Sequence, residues 1–148
     1  MTVELDRRGW MSLLAKAPMA ELAPLWRALN MSPEFQWLRA PEVGATMVRG
    51  RMGGTGAPFN LGEMTITRCS LQLDDGVVGH GYVQGRDKEK ARMAALVDAL
   101  MQGEMADRVC RDVLVPLAGA FRDAKAERAA KAAATKVDFF TMVRGEDK

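Results

Sequence analysis

The sequence predicts an α+β fold: an antiparallel meander of three or four strands, with helices N-terminal to it and long helices after it. Three observations lead there. Apolar residues recur at helical spacing at both ends of the chain, as in Trp10, Leu13, Leu14 and Ala17. The middle of the chain alternates with a period of two, most cleanly over residues 64–73. Turn chemistry separates the alternating runs: a cluster of glycines at Gly53, Gly54 and Gly56, and Asp74-Asp75-Gly76.

The first helix is expected over residues 3–17. Pro18 suits the first turn of a second helix, whose stripe of Leu22, Leu25, Trp26 and Leu29 runs to Asn30. Pro24 falls inside that stripe and predicts a kink or a restart. Phe35 and Trp37 alternate as a short strand, which Ala40-Pro41-Glu42 is expected to break. A second strand is expected over residues 44–52, a third over 64–73 and a fourth over 77–83. Asp87 is a good N-cap for a helix carrying Ala91, Ala94, Val97 and Leu100, ended near Gly103. A further helical pattern starts at Glu104, with Pro116 as a point of kink or restart. It passes into AKAERAAKAAATK, whose apolar content is almost all alanine, a strong helix former with little to bury.

With 148 residues, the chain is expected to form a single domain over residues 1–136. The segment 137–148 turns apolar again, and Val137, Phe139, Phe140 and Met142 are partner-docking candidates there. Hydrophobic residues at 48% and charged residues at 27% are ordinary for a globular protein. A net charge of +2 and 6% aromatic residues give no nucleic-acid surface. No apolar run approaches the roughly 20 residues of a membrane span, and the charged start MTVELDRRGW is unlike a secretion signal. The expected location is the cytoplasm, with Cys69 and Cys110 as reduced thiols. One histidine and two distant cysteines make no metal cluster, so neither a metal nor any other cofactor is expected in this chain. Eleven methionines suit an adaptable contact surface.

The candidate binding or interface residues cluster at the glycine loop: Arg49, Arg51, Gly53, Gly54, Thr55 and Gly56, with Asn60 and Glu63 at its exit. Three glycines in four residues lose much conformational freedom on folding, which implies a special loop shape or a bound group. The loop is not a Walker A motif, since Ala57 and Pro58 follow Gly56 where Lys and Ser/Thr belong. Two readings stay open. The backbone forms an anion-binding nest, with Arg49, Arg51 and Arg68 matching phosphate or phosphonate oxygens. Otherwise the glycines form a wide turn with arginines on a solvated or interface face. GHGYVQG (residues 79–85) lacks the third glycine of a dinucleotide fingerprint and lies within a strand. His80 is the lone histidine, a candidate acid–base group or a structural residue. No catalytic constellation emerges.

The runs WLRAPEVG (37–44), RMGGTGAPFNLGEMTITRC (51–69) and GHGYVQGRDK (79–88) resemble the G subunit of the bacterial carbon–phosphorus lyase system, the PhnG family. The resemblance extends from Trp10 to Gln102, with weaker agreement in the C-terminal third. It implies a core complex with H, I and J subunits, two copies of each, in which this chain touches the I subunit directly. It implies an activity in which I, with G, H and a transient ATP-binding-cassette-type L subunit, displaces adenine from ATP with an alkylphosphonate. The J subunit's later radical cleavage uses an iron–sulfur cluster, for which this chain has no cysteine array. The resemblance places no catalytic residue on this chain. The reading is therefore an auxiliary subunit. The alternative is a stand-alone homo-oligomeric module that binds an anion or nucleotide.

Overall fold

Asp6 starts the first helix by accepting a hydrogen bond from the Gly9 amide at 2.7 Å, which satisfies a donor that the helix itself cannot. In the computed structural model, which describes residues 5–139, α1 runs Arg7–Lys16 and α2 Met19–Ala28. Trp10, Leu14, Ala17, Leu22, Trp26 and Leu29 are buried, so both predicted stripes face the core. Of the expected kink or restart at Pro24, the restart does not occur: α2 runs through it. Proline removes one backbone donor, so the Ala20 carbonyl loses its helical partner. Both residues lie on the exposed side of the helix, where water takes that place.

The sheet is an antiparallel meander, β1 (Phe35–Arg51), β2 (Pro58–Leu73) and β3 (Val78–Gln84), in the order β1-β2-β3. Three strands replace the upper expectation of four, because Ala40-Pro41-Glu42 does not break β1. β1 is an edge strand, and its register with β2 shifts between Trp37 and Arg39 and again between Arg39 and Glu42. Proline's missing donor is tolerated at a bulge on an edge. The expected break is therefore a bend in one 17-residue strand. Asp75 braces the β2–β3 turn by accepting from the Val77 amide at 3.1 Å.

One face of the sheet is covered. Thr67, Cys69 and Leu71 of β2 and Gly79, Gly81 and Val83 of β3 point to that face and are buried. The helix α3 (Lys88–Leu100), capped by Asp87, lies across it. Contact there is unusually close. A Cβ on Gly79 would sit 2.1 Å from the Ala95 carbonyl oxygen, and one on Gly81 2.2 Å from that of Ala91. The GHGYVQG run is therefore the seat of a helix, with Ala91, Ala95 and Ala99 one turn apart over the two glycines.

α3 also closes the outer edge of β3. The His80 amide donates to Asp98 Oδ2 at 2.9 Å, Gln102 Nε2 donates to the Val78 carbonyl at 2.8 Å, and Lys90 Nζ to that of Gln84 at 3.4 Å. These side chains occupy backbone groups that would otherwise pair with another chain.

The chain ends in α4 (Ala106–Val109), a π-turn over Cys110–Leu114 and α5 (Val115–Ala134). The Val115 amide reaches back five residues to the Cys110 carbonyl, widening the turn just ahead of Pro116. Proline then sits in the first turn of α5, so the predicted restart falls where its ring demands. Val109, Val113, Leu114 and Leu117 anchor this segment in the core. Residues 121–134 are exposed throughout, with Phe121 reaching α1, its ring 5.9 Å from Lys16 Nζ. Val137 and Phe139 are also exposed, while Phe140 and Met142 lie outside the described residues. Among the described residues no helix is long and apolar enough to cross a membrane.

Candidate functional site

β2 pairs with β3 only as far as Ile66, opposite Gln84, whereas β1 and β2 stay paired out to Arg51 and Pro58. Seven rungs of β1 beyond this point, at ~3.4 Å each, form a two-stranded ribbon that projects about 24 Å past the sheet. None of the 17 residues of β1 is buried. Val43, Met47, Phe59 and Leu61 are between 42% and 66% exposed. Their alternation with polar residues is what keeps the pair in register. A two-stranded ribbon is marginal by itself in water.

The tip turns through Met52–Gly54, with Gly53 at φ 59° and Gly54 at φ 81°. These are left-handed positions in which a Cβ is strained. The Gly56 amide donates to the Met52 carbonyl at 2.8 Å, and a Cβ on Gly56 would lie 2.7 Å from that oxygen. Arg51 Nη1 donates to the Gly56 carbonyl at 3.2 Å and braces the turn. The glycine loop is therefore shorter than expected. Asn60 and Glu63 are strand residues of β2, because the exposed alternation of Phe59 and Leu61 continues the ladder.

A bulge sits just below the tip. Val48 faces Gly62 and Arg49 faces Asn60, so Leu61 is the extra residue. Directly opposed residues share a face, so Arg49, Asn60, Arg51 and Pro58 lie on one side of the ribbon and Gly50 and Phe59 on the other. The Phe59 ring lies over Gly50, 3.5 Å from where its Cβ would be. Arg49, Gly50, Arg51, Gly54 and Pro58 line one shallow open hollow. Among the described residues neither arginine has a carboxylate partner.

The candidate residues thus divide. Arg49, Arg51, Gly53, Gly54, Thr55, Gly56 and Asn60 come together at the tip. Glu63 faces Met47 farther down the ribbon. Arg68, read as a neighbour of the loop, lies at the ribbon's base, where its Nε donates to Glu42 Oε1 at 2.7 Å. Hydrogen bonds from Arg39 and then Arg68 hold the Glu42 carboxyl below its usual range. His80 is on β3, with Nδ1 2.7 Å from Ser70 Oγ, and takes no part in the tip. No group of three or more His, Cys, Asp or Glu side chains converges among the described residues.

Sequence reading missed Asp98. Its fully buried carboxylate accepts from Arg7 Nε and Nη2 at 3.2 and 2.8 Å, Trp10 Nε1 at 2.9 Å and the His80 amide at 2.9 Å. The available signal was a carboxylate inside the apolar run AALVDAL. An acidic residue there is kept only if it is paired.

Cys69 is inert in this fold. Its thiol donates to the Ala91 carbonyl at 3.2 Å, and burial pushes its pKa up from 9.0 to about 11 despite the opposing Gly81 amide. The neutral thiol is the favoured form, so its contribution to stability is complete below pH 9 and is lost as pH rises towards about 11. At pH 8 alkylation of Cys69 is expected to be about 100-fold slower in the native protein than in urea, since two pKa units remove that much thiolate. Mass spectrometry of the alkylated peptide checks this. Equal rates would mean that the β2–α3 contact opens readily.

Comparison with known proteins places this geometry. The family model described as phosphonate metabolism protein PhnG matches residues 5–145. A relative from Rhizobium meliloti (strain 1021) is named alpha-D-ribose 1-methylphosphonate 5-triphosphate synthase subunit PhnG. It is 50% identical over 143 residues, which is 96% of this chain and 91% of that protein. The family match continues past Gln102, where the most similar motifs end, through the alanine-rich helix.

Proposed function

This chain belongs to the PhnG family of phosphonate metabolism proteins, and on that premise we propose that it is an auxiliary subunit of a ribose 1-methylphosphonate 5-triphosphate synthase. In that reaction an alkylphosphonate is transferred to the ribose of ATP and adenine leaves. The subunit acts by docking, and the residues that remove adenine belong to another chain.

The ribbon is the observation that carries this reading. It offers open backbone on both edges, exposed Val43, Met47, Phe59 and Leu61, and no residue of β1 that the chain itself buries. An element of this length gains its order from a partner. The I subunit is the proposed direct partner. The H and J subunits complete the core, and the L subunit joins transiently. A stand-alone homo-oligomeric module is the weaker reading, because the likeness spans nearly the whole of a protein named as a synthase subunit.

The test is co-expression with I, H and L subunits, read by native mass and by adenine release. The Phe59→Asp/Leu61→Asp variant is expected to lower recovery of the mixed complex at least tenfold. Its own melting temperature is expected to stay within about 3 °C, since both side chains are exposed. Undiminished recovery, or full-rate adenine release by I, H and L without this chain, would sink the proposal.

A further inference from the structure

At the tip the ribbon has two unlike faces, and the Phe59 and Leu61 contact tested above uses only one of them. Phe59 over Gly50, with Leu61 at the bulge, suits contact with protein. The other face presents Arg49, Arg51 and the Asn60 carboxamide. The nearest acidic side chain along the ribbon, Glu63, faces Met47 beyond the bulge. The extra residue of the bulge, Leu61, is on β2, and β1 keeps its alternation from Met47 through Arg49 to Arg51. Arg51 is held in place by one hydrogen bond to Gly56, which leaves most of its donors available. The amides of Thr55 and Gly56 both close on the Met52 carbonyl. Gly53 and Gly54 hold positive φ in this turn, and Gly54 lines the same hollow as the two arginines.

We propose that this face, Arg49, Arg51 and Asn60 beside the glycine turn, binds the phosphorus oxoanion groups of the synthase's substrates at an active site completed by the partner chain. The inference rests on the subunit role proposed above. Guanidinium forks match the paired oxygens of a tetrahedral oxoanion. Seating the apolar face on a partner removes water from one side of the tip and turns the donors towards whatever lies opposite. The product for which the relative is named carries two such groups, a 5-triphosphate and a 1-phosphonate, and the shared chemistry fits either.

The experiment compares the wild-type protein with Arg49→Gln/Arg51→Gln, both within the co-expressed complex and as the full chain alone. Inorganic triphosphate and methylphosphonate are titrated separately by calorimetry at low ionic strength. The double variant is expected to assemble normally, by native mass, and to bind triphosphate at least tenfold more weakly and with a shallower salt dependence. Loss confined to methylphosphonate would assign the site to the phosphonate end of the product. Unchanged affinity for both probes overturns the site, as does a wild-type protein that binds neither probe in either form. If the variant fails to assemble, the titration of the full chain alone decides by the same criterion. A wild-type chain that never joins the complex counts against the subunit role, and the full-chain titration still judges the site.

Discussion

Replacing Gly81 by alanine is expected to lower stability by about 2–3 kcal/mol, at the upper end of what overpacking costs. The added methyl would lie 2.2 Å from the Ala91 carbonyl oxygen and 2.9 Å from Cys69 Sγ. Neither neighbour can swing aside. One is helix backbone and the other is a buried thiol bonded to that same oxygen. The helix must lift off the sheet, which also loosens Ala95 and Ala99 from Gly79. Gly79→Ala is expected to behave alike, with 2.1 Å to the Ala95 oxygen. For a chain of this size, such a loss shifts the melting temperature by about 5–10 °C. Gly44→Ala and Gly62→Ala serve as controls, because a Cβ at either position meets nothing within 4 Å. If Gly81→Ala melted with the controls, α3 would sit farther from β3 than these distances allow.

Asp98→Ala is expected to cost more, about 3–5 kcal/mol, because it strands buried partners as well as leaving a small cavity. The guanidinium of Arg7, the Trp10 indole N–H and the His80 amide all aim at this carboxylate. Asp98→Asn keeps the size and one acceptor oxygen, and is expected to lose roughly half as much. Arg7→Ala is expected to cost only about 1 kcal/mol, since the Arg7 side chain is 44% exposed and its pairing is partly screened. Urea denaturation of the three variants checks the order. An Asp98→Ala protein as stable as Arg7→Ala would mean that water replaces the carboxylate, so that the edge of β3 is not sealed.

The helices and their inward faces were legible because amphipathic spacing is a local property, and Asp87 caps where capping chemistry places it, whereas Asp6, expected inside a helix from residue 3, caps one that starts at Arg7. The meander was legible for a similar reason: the 64–73 alternation and the Asp74-Asp75-Gly76 turn fix β2 and β3 together. The continuity of β1 was hidden, since Pro41 breaks a strand in general and is admitted here only by an edge position. That position depends on pairing order, which no local window contains. At the tip, Arg49, Arg51 and the glycines were read as neighbours correctly. Arg68 was set beside them by sequence proximity, and a long ribbon then carried the tip away from it. The close seat of α3 was visible only as two glycines in a strand. Their meaning came from a helix that lies ten residues farther on.

The buried carboxylate has a consequence for synthesis. Arg7 and Trp10 meet Asp98 across 91 and 88 residues of chain. At roughly 5–20 residues added per second, α1 leaves the ribosome many seconds before the residue that anchors it has been made. During that interval Trp10 lacks the carboxylate it bonds, while β1, β2 and β3 emerge and pair as hairpins with their neighbours. The first helix made is therefore seated only once the sheet and α3 have been made. Its apolar stripe is the part of the nascent chain that a chaperone has the longest opportunity to hold.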